Sequence, residues 1–246
     1  MRYAYAVTSA LLLGGSAIVL ATGRFGLSWA DSVRARGVTV DVLDFGKSSP
    51  VDLDRVEQAL RADVTHSIKA VLTTHVDTAS SVRTDVAALR ACLDAVGHPA
   101  LLAVDCIASM GCDEFRMDDW GVDVAFAASQ KGLLLPPGIG FVWFSEKARA
   151  ACRGNDLNTP YWDWTPRADA SEFWHYWNGT APTHHLFGLR ESLTMLLHEE
   201  GLPQVWRRHD VLARAVWAAF DVWSQGNPQI GLNVADPAHR GRSVTA

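Results

Sequence analysis

Short, mostly apolar runs alternate along the chain with stretches in which apolar positions recur every three or four residues. The runs at 18–21, 39–43, 68–73, 100–104, 122–127 and 140–144 read as strands. The stretches at 26–36, 53–61, 85–95, 146–152, 186–199 and 203–223 have the spacing of helices with one apolar stripe. Strands that are apolar at successive positions are buried on both faces, so this alternation predicts the α/β class: a mostly parallel central sheet with helices on both faces. Leu186, Leu189, Leu193 and Leu197 are expected to form a core stripe, and Gly226-Asn227-Pro228 to end the last helix. Ligands of such sheets bind outside the carboxyl ends of the strands.

Two chemical groups fall at those ends. Asp105 closes the run Ala100-Leu101-Leu102-Ala103-Val104, and Lys131 follows Val122 to Ala128 through Ser129-Gln130. A lysine closing a buried run is expected to have its ammonium partly desolvated, which favours the neutral amine and is the setting of a Schiff-base lysine. A carboxylate beside it is what pyridoxal phosphate needs against its ring nitrogen, to hold the pyridinium protonated. Each residue alone is more ordinarily a solvated charge, a turn residue or a helix cap.

The wider sequence decides between these readings. Asp105-Cys106-Ile107-Ala108-Ser109-Met110-Gly111, Phe115 to Asp123, Ser129-Gln130-Lys131-Gly132 and Pro136-Pro137-Gly138-Ile139-Gly140 closely resemble the class V aminotransferases, with the nearest likeness to the alanine, serine and aspartate:glyoxylate group. The resemblance runs from about residue 17 to the C-terminus. It implies a fold-type I pyridoxal-phosphate-dependent transferase, with Lys131 as the lysine that binds the cofactor covalently and shuttles the α-proton, and Asp105 as the partner of the pyridine nitrogen. Gln130 and Ser129 fall where the family places side chains beside the cofactor, Gln130 as the phosphate contact. Phe25, in Gly23-Arg24-Phe25-Gly26, falls where an aromatic ring stacks on the pyridine, a role that some relatives give to Trp.

Two segments depart from the family pattern. In His75-Val76-Asp77-Thr78-Ala79-Ser80-Ser81, Ser80 keeps the hydroxyl that approaches the cofactor, but Val76 replaces an amide-bearing side chain and Ser81 replaces a glycine. In Trp177-Asn178-Gly179-Thr180-Ala181-Pro182-Thr183, which resembles the segment that reaches a partner subunit's phosphate, Thr180 keeps the hydroxyl while Trp177 stands where some relatives carry Tyr. A Trp donates one hydrogen bond and accepts none. Thr180 thus implies a homodimer with composite sites.

The expected activity is transfer of an amino group from serine, alanine or aspartate to glyoxylate or a similar 2-oxo acid. Family members begin some 70 residues before the first matching segment here and continue past residue 246, so the chain resembles an internal piece: residues 1–225 the large cofactor-binding domain, 226–246 the opening of the smaller one. The glycine-rich phosphate cradle and the arginine for the substrate carboxylate are expected outside it. One rival is a truncated or degenerate noncatalytic member. Another is a desulfurase or lyase, which would need a mobile nucleophilic cysteine, and Cys92, Cys106, Cys112 and Cys152 lie in no evident Gly/Ser-rich loop.

Composition narrows the partners. With 246 residues, 48% hydrophobic, the chain is long enough for one large domain and its core. A net charge of −5 with scattered Lys and Arg gives no basic face for nucleic acid. The cysteines show neither CxxC pairing nor nearby histidine, so reduced thiols in a cytoplasmic protein are expected rather than zinc or disulfides. The start, Met1-Arg2 then Ala6 to Leu13, looks like a signal peptide, but the break at Gly14-Gly15-Ser16 reads better as the end of a buried helix, a turn and a strand. That break leaves neither half with the ~20 apolar residues of a membrane span. Ten tryptophans, most of them beyond residue 160, are expected to serve core and helix packing, though aromatic residues are also enriched in subunit interfaces.

Overall fold

The computed structural model describes residues 15–152, 161–227 and 229–246. The apolar stretch at 6–13 and the helix end read there lie outside these residues. Six strands form one sheet: β1 (Ser16–Ala21), β2 (Thr39–Asp44), β3 (Ile68–Thr74), β4 (Leu101–Asp105), β5 (Val124–Ala128) and β6 (Gly140–Phe144), in the order β2-β1-β3-β4-β5-β6. The first five are parallel, and β6 runs antiparallel to β5.

Alternate residues of each strand feed two cores. Ala17 and Val19 join Trp29, Val33 and Phe126 on one face, beneath helix α1 (Arg24–Arg34). Ile18 and Leu20 join Val56, Leu60, Leu89 and Leu93 on the other, beneath α2 (Leu53–Ala62) and α3 (Val86–Val96). Each fully buried Leu or Ile contributes about 2 kcal/mol of hydrophobic stabilisation. Local signals set the helix ends: the Asp85 carboxylate accepts from Ala88 N at 2.9 Å to start α3, and Gly97, at φ 69°, ends it in the left-handed region.

Beyond β6 come α4 (Glu146–Cys152), α5 (Thr183–Leu193) and α6 (Leu202–Trp223). The helix expected over 186–199 is α5 followed by a π-helical turn, Thr194–Glu199. The wider turn rotates the side chains out of the 3.6-residue phase, so Leu196 is buried and Leu197, the last member of the expected stripe, is 46% exposed. The tryptophans divide likewise: Trp29, Trp164 and Trp217 are in the core, whereas Trp174 and Trp223 are exposed.

After α6 the chain returns as a strap over the carboxyl end of the sheet. Asn233 Nδ2 donates to Ser80 O at 2.8 Å, Gly241 N donates to Ser81 O at 2.8 Å, and the buried Asp113 carboxylate receives Arg242 N at 2.8 Å and Ser243 N at 3.1 Å. Ser81 sits at φ 59°, a left-handed conformation in which a Cβ costs roughly 1 kcal/mol, which explains the glycine of the family pattern there. Ser81→Gly is therefore expected to stabilise the fold by up to about 0.5 kcal/mol in urea denaturation, the relief of strain slightly outweighing the added chain entropy.

Candidate active site

A cavity of about 170 Å³ opens at the carboxyl ends of β4 and β5, between them and α1. Phe25, Asp105, Gln130 and Lys131 all line it. Each is placed by a distinct local device.

Asp105 is the last residue of β4, paired in register with Thr74 and Phe126. Its Oδ1 accepts from Ile107 N at 2.7 Å, and among the described residues nothing donates to Oδ2. The carboxyl keeps some accessible surface only because it faces the cavity. The surrounding protein desolvates it and pushes its pKa up to about 7; the Ile107 N–H works against that rise and the nearby Asp77 charge adds to it.

Lys131 and Gln130 stand in the turn after β5. The buried Ser129 hydroxyl donates to Pro136 O at 2.8 Å and accepts from Ile139 N at 3.2 Å, closing the 129–139 loop. Gly132 then presses against the loop that follows Asp105: a Cβ there would lie 2.2 Å from Met110 O and 2.7 Å from Cys112 Sγ. Only a glycine permits that approach, which brings Lys131 to the same cavity as Asp105. Gly132→Ala is expected to cost about 2 kcal/mol or more of stability, read by urea denaturation, because a backbone oxygen cannot yield as a side-chain tip can.

Lys131 and Gln130 are exposed in the single chain, so the desolvation expected of Lys131 is not met: the turn projects it from the rim of the cavity rather than into the sheet. Two residues expected beside a cofactor are otherwise engaged. Ser129 is tied to its own loop, as above, and the buried Ser80 hydroxyl accepts from Val82 N at 3.2 Å. Neither lines the cavity, because each hydroxyl closes the turn in which it stands. Trp177 and Thr180 line a separate, largely aromatic cavity of about 790 Å³ along β6, together with Phe141, Trp143 and Tyr176. His75 is also off the cavity wall. It is wholly buried against Phe115 and Trp120, with Nδ1 at 2.9 Å from Ser109 Oγ, and burial, aided by Arg83 and Arg242, holds its pKa down to about 3.

The cavity wall includes residues that the sequence reading did not single out: Thr78, and Ser28, Trp29 and Ser32 on α1. The helical period held the signal for the last three, since 25, 28, 29 and 32 share one face of a helix. Phe25 lies at the first turn of α1, 38% exposed, and Trp29 one turn on, its ring 5.0 Å from Phe126 in an edge contact.

The model of the class-V aminotransferase family matches residues 3–246. The serine–glyoxylate aminotransferase of Methylorubrum extorquens is 40% identical over 223 residues, covering 89% of this chain and 55% of that protein. The L-aspartate–glyoxylate aminotransferase of Paracoccus denitrificans is 40% identical over 220 residues, covering 89% of this chain and 54% of its own length. The chain thus spans about half the length of the curated relatives it matches. Among solved structures, the alanine–glyoxylate aminotransferase from Nostoc sp. superposes with a TM-score of 0.84 at 24% identity, covering 98% of this chain and 61% of that one, a likeness of fold. Matched along nearly its whole length, and built on the same fold, the chain belongs to the class-V aminotransferase family.

Proposed function

We propose that the protein is a pyridoxal-phosphate-dependent aminotransferase that passes the amino group of serine, alanine or aspartate to glyoxylate or a similar 2-oxo acid. The observation that carries this reading is the convergence of Asp105, Lys131 and Phe25 on one cavity. Pyridoxal phosphate, when bound, supplies an electron-withdrawing ring that stabilises negative charge at the amino acid's α-carbon.

The residues present fit that group. Among the described residues Asp105 Oδ2 has no donor, which a protonated ring nitrogen would provide, and the Phe25 ring offers an apolar face at the cavity mouth. Lys131 Nζ would hold the cofactor and, when free, take a proton from the substrate α-carbon. Gln130 and Thr78 offer polar groups on the same wall. The N-terminus of α1 does not serve as the phosphate cradle, because its first N–H groups are already given to Asp77. The cradle and the substrate-carboxylate arginine then come from parts of the protein outside this chain, and residues 226–246 lead into the smaller domain.

A homodimer is supported by the aromatic face that carries Trp177 and Thr180, where Phe173, Trp174 and Tyr176 are all more than half exposed. The four free thiols, with Cys106 and Cys112 buried, support a reducing compartment, the cytoplasm. Incubation with glyoxylate and each of the three donors in turn tests the activity. Glycine should form with at least one of them; a cofactor-loaded protein that forms none, and instead releases sulfide from cysteine or splits a donor, would overturn the transaminase reading.

A further inference from the structure

Helix α1 has no cap of its own. Gly23 precedes it with extended backbone and no side chain to accept from the first turn. The acceptor comes instead from 51 residues further along: the wholly buried Asp77 carboxylate takes Phe25 N at 2.9 Å and Gly26 N at 3.0 Å on Oδ2, and Ala79 N at 2.9 Å on Oδ1. Gly23 is what lets it approach, since a Cβ there would lie 2.5 Å from the carboxylate.

We propose that Asp77 is a positioning residue of the active site: its carboxylate fixes the Phe25 ring over the cofactor by clamping the backbone on which that ring is mounted, and fixes the Val76–Thr78 wall to the same point. The inference rests on the transaminase reading above.

Its chemistry suits the task. An anion at a helix N-terminus gains from the helix dipole, and charge-assisted hydrogen bonds from backbone N–H groups are short and directional. Among the described residues the Phe25 ring makes no aromatic or cation–π contact and is partly exposed at the rim, so its orientation follows from its backbone. Within its own loop the carboxylate holds Ala79 N, as above, while the Asp77 backbone carbonyl accepts from Ser80 N and Ser81 N at 3.2 and 2.8 Å. Val76 and Thr78, which flank Asp77 in sequence, both line the cavity. One group therefore sets the ring on one side of the cavity and the loop on another. Its negative charge also contributes to the raised pKa of Asp105.

Asp77→Asn keeps size and shape but turns an N–H₂ toward donors, so it can satisfy one side of the clamp and not both. The test is a double-mutant cycle in the protein expressed from its full reading frame, with pyridoxal 5′-phosphate affinity and the visible circular dichroism of the bound cofactor as readouts. Asp77→Asn should weaken binding about tenfold to a hundredfold in the wild-type background and less than about threefold once Phe25→Ala has removed the ring, since groups acting through one another are not additive. The dichroic band should weaken in Asp77→Asn as it does in Phe25→Ala. Gly23→Ala, which leaves the carboxylate intact but displaces it, should reproduce both effects and replaces Asp77→Asn if that variant does not fold. Equal losses in the two backgrounds, with an unchanged dichroic band, would overturn the positioning role while leaving the transaminase reading standing. A wild-type protein that binds no cofactor would overturn both.

Discussion

Asp105→Asn is expected to make the cofactor-free protein more stable and the loaded enzyme about a hundredfold or more slower, the scale of losing a preorganised charge. The two effects have one cause. With a pKa near 7, the native carboxyl holds a proton that the unfolded chain has released above about pH 4, so native Asp105 binds more protons than unfolded Asp105 between those values. Stability therefore falls as pH rises from about 4 to about 7 and is flat above. Asparagine carries no such penalty. Its advantage in melting temperature should be absent near pH 4 and complete by pH 8, on the order of 1–2 kcal/mol, less than the full pKa difference because water reaches the cavity. With pyridoxal phosphate bound, Asp105 would hold the ring nitrogen protonated and be stabilised as the anion in return, which a neutral amide cannot do. Melting curves at pH 4.5 and 8, beside turnover, read both halves. A variant that melts earlier than wild type at pH 8 would show that the buried charge is already compensated.

Lys131→Ala is expected to abolish covalent cofactor binding and lower turnover by about 10⁴-fold or more, since both nucleophile and proton carrier are lost. Among the described residues no other amine lines the cavity. The chain has four lysines. Lys147 lies at the opposite end of the sheet, its Nζ at 3.1 Å from Ala100 O. Lys69 is near the start of β3, its Nζ at 2.7 Å from His66 O. Lys47 follows β2, and only Lys131 lines the cavity. Lys131→Arg should be as inactive as Lys131→Ala, because a guanidinium does not give up its proton. Turnover within tenfold of wild type in either variant would remove Lys131 from the mechanism.

Much of this was readable from the chain. The apolar runs locate all six strands to within two residues; the inner strands β1, β3, β4 and β5 are buried on both faces as expected, whereas the edge strands β2 and β6 are partly exposed because each has a neighbour on one side alone. Asp105 and Lys131 were visible as chemistry at strand ends, where α/β sheets place their sites, and Phe25 through the family resemblance of its segment. What was not legible depends on contacts distant in sequence. The Ser129 hydroxyl is spent on Pro136 and Ile139, and a hydroxyl's partner is fixed by a turn whose geometry the sequence does not state. Gly132 reads as a turn residue until Met110 is brought against it. The exposure of Leu197 in place of Leu196 follows from one π-helical turn, a local phase change that regular spacing cannot anticipate. Asp77 reads as a loop carboxylate until α1 is folded onto it.

The most direct measurement is the absorbance spectrum of the purified protein with pyridoxal phosphate, followed by borohydride reduction and peptide mass mapping. The account predicts a visible band that borohydride abolishes, with the reduced cofactor's mass on the peptide containing Lys131 and no such adduct in Lys131→Ala. An adduct on Lys47, Lys69 or Lys147 instead, or a band that persists undiminished in Lys131→Ala, would contradict the placing of the active site at the carboxyl ends of β4 and β5.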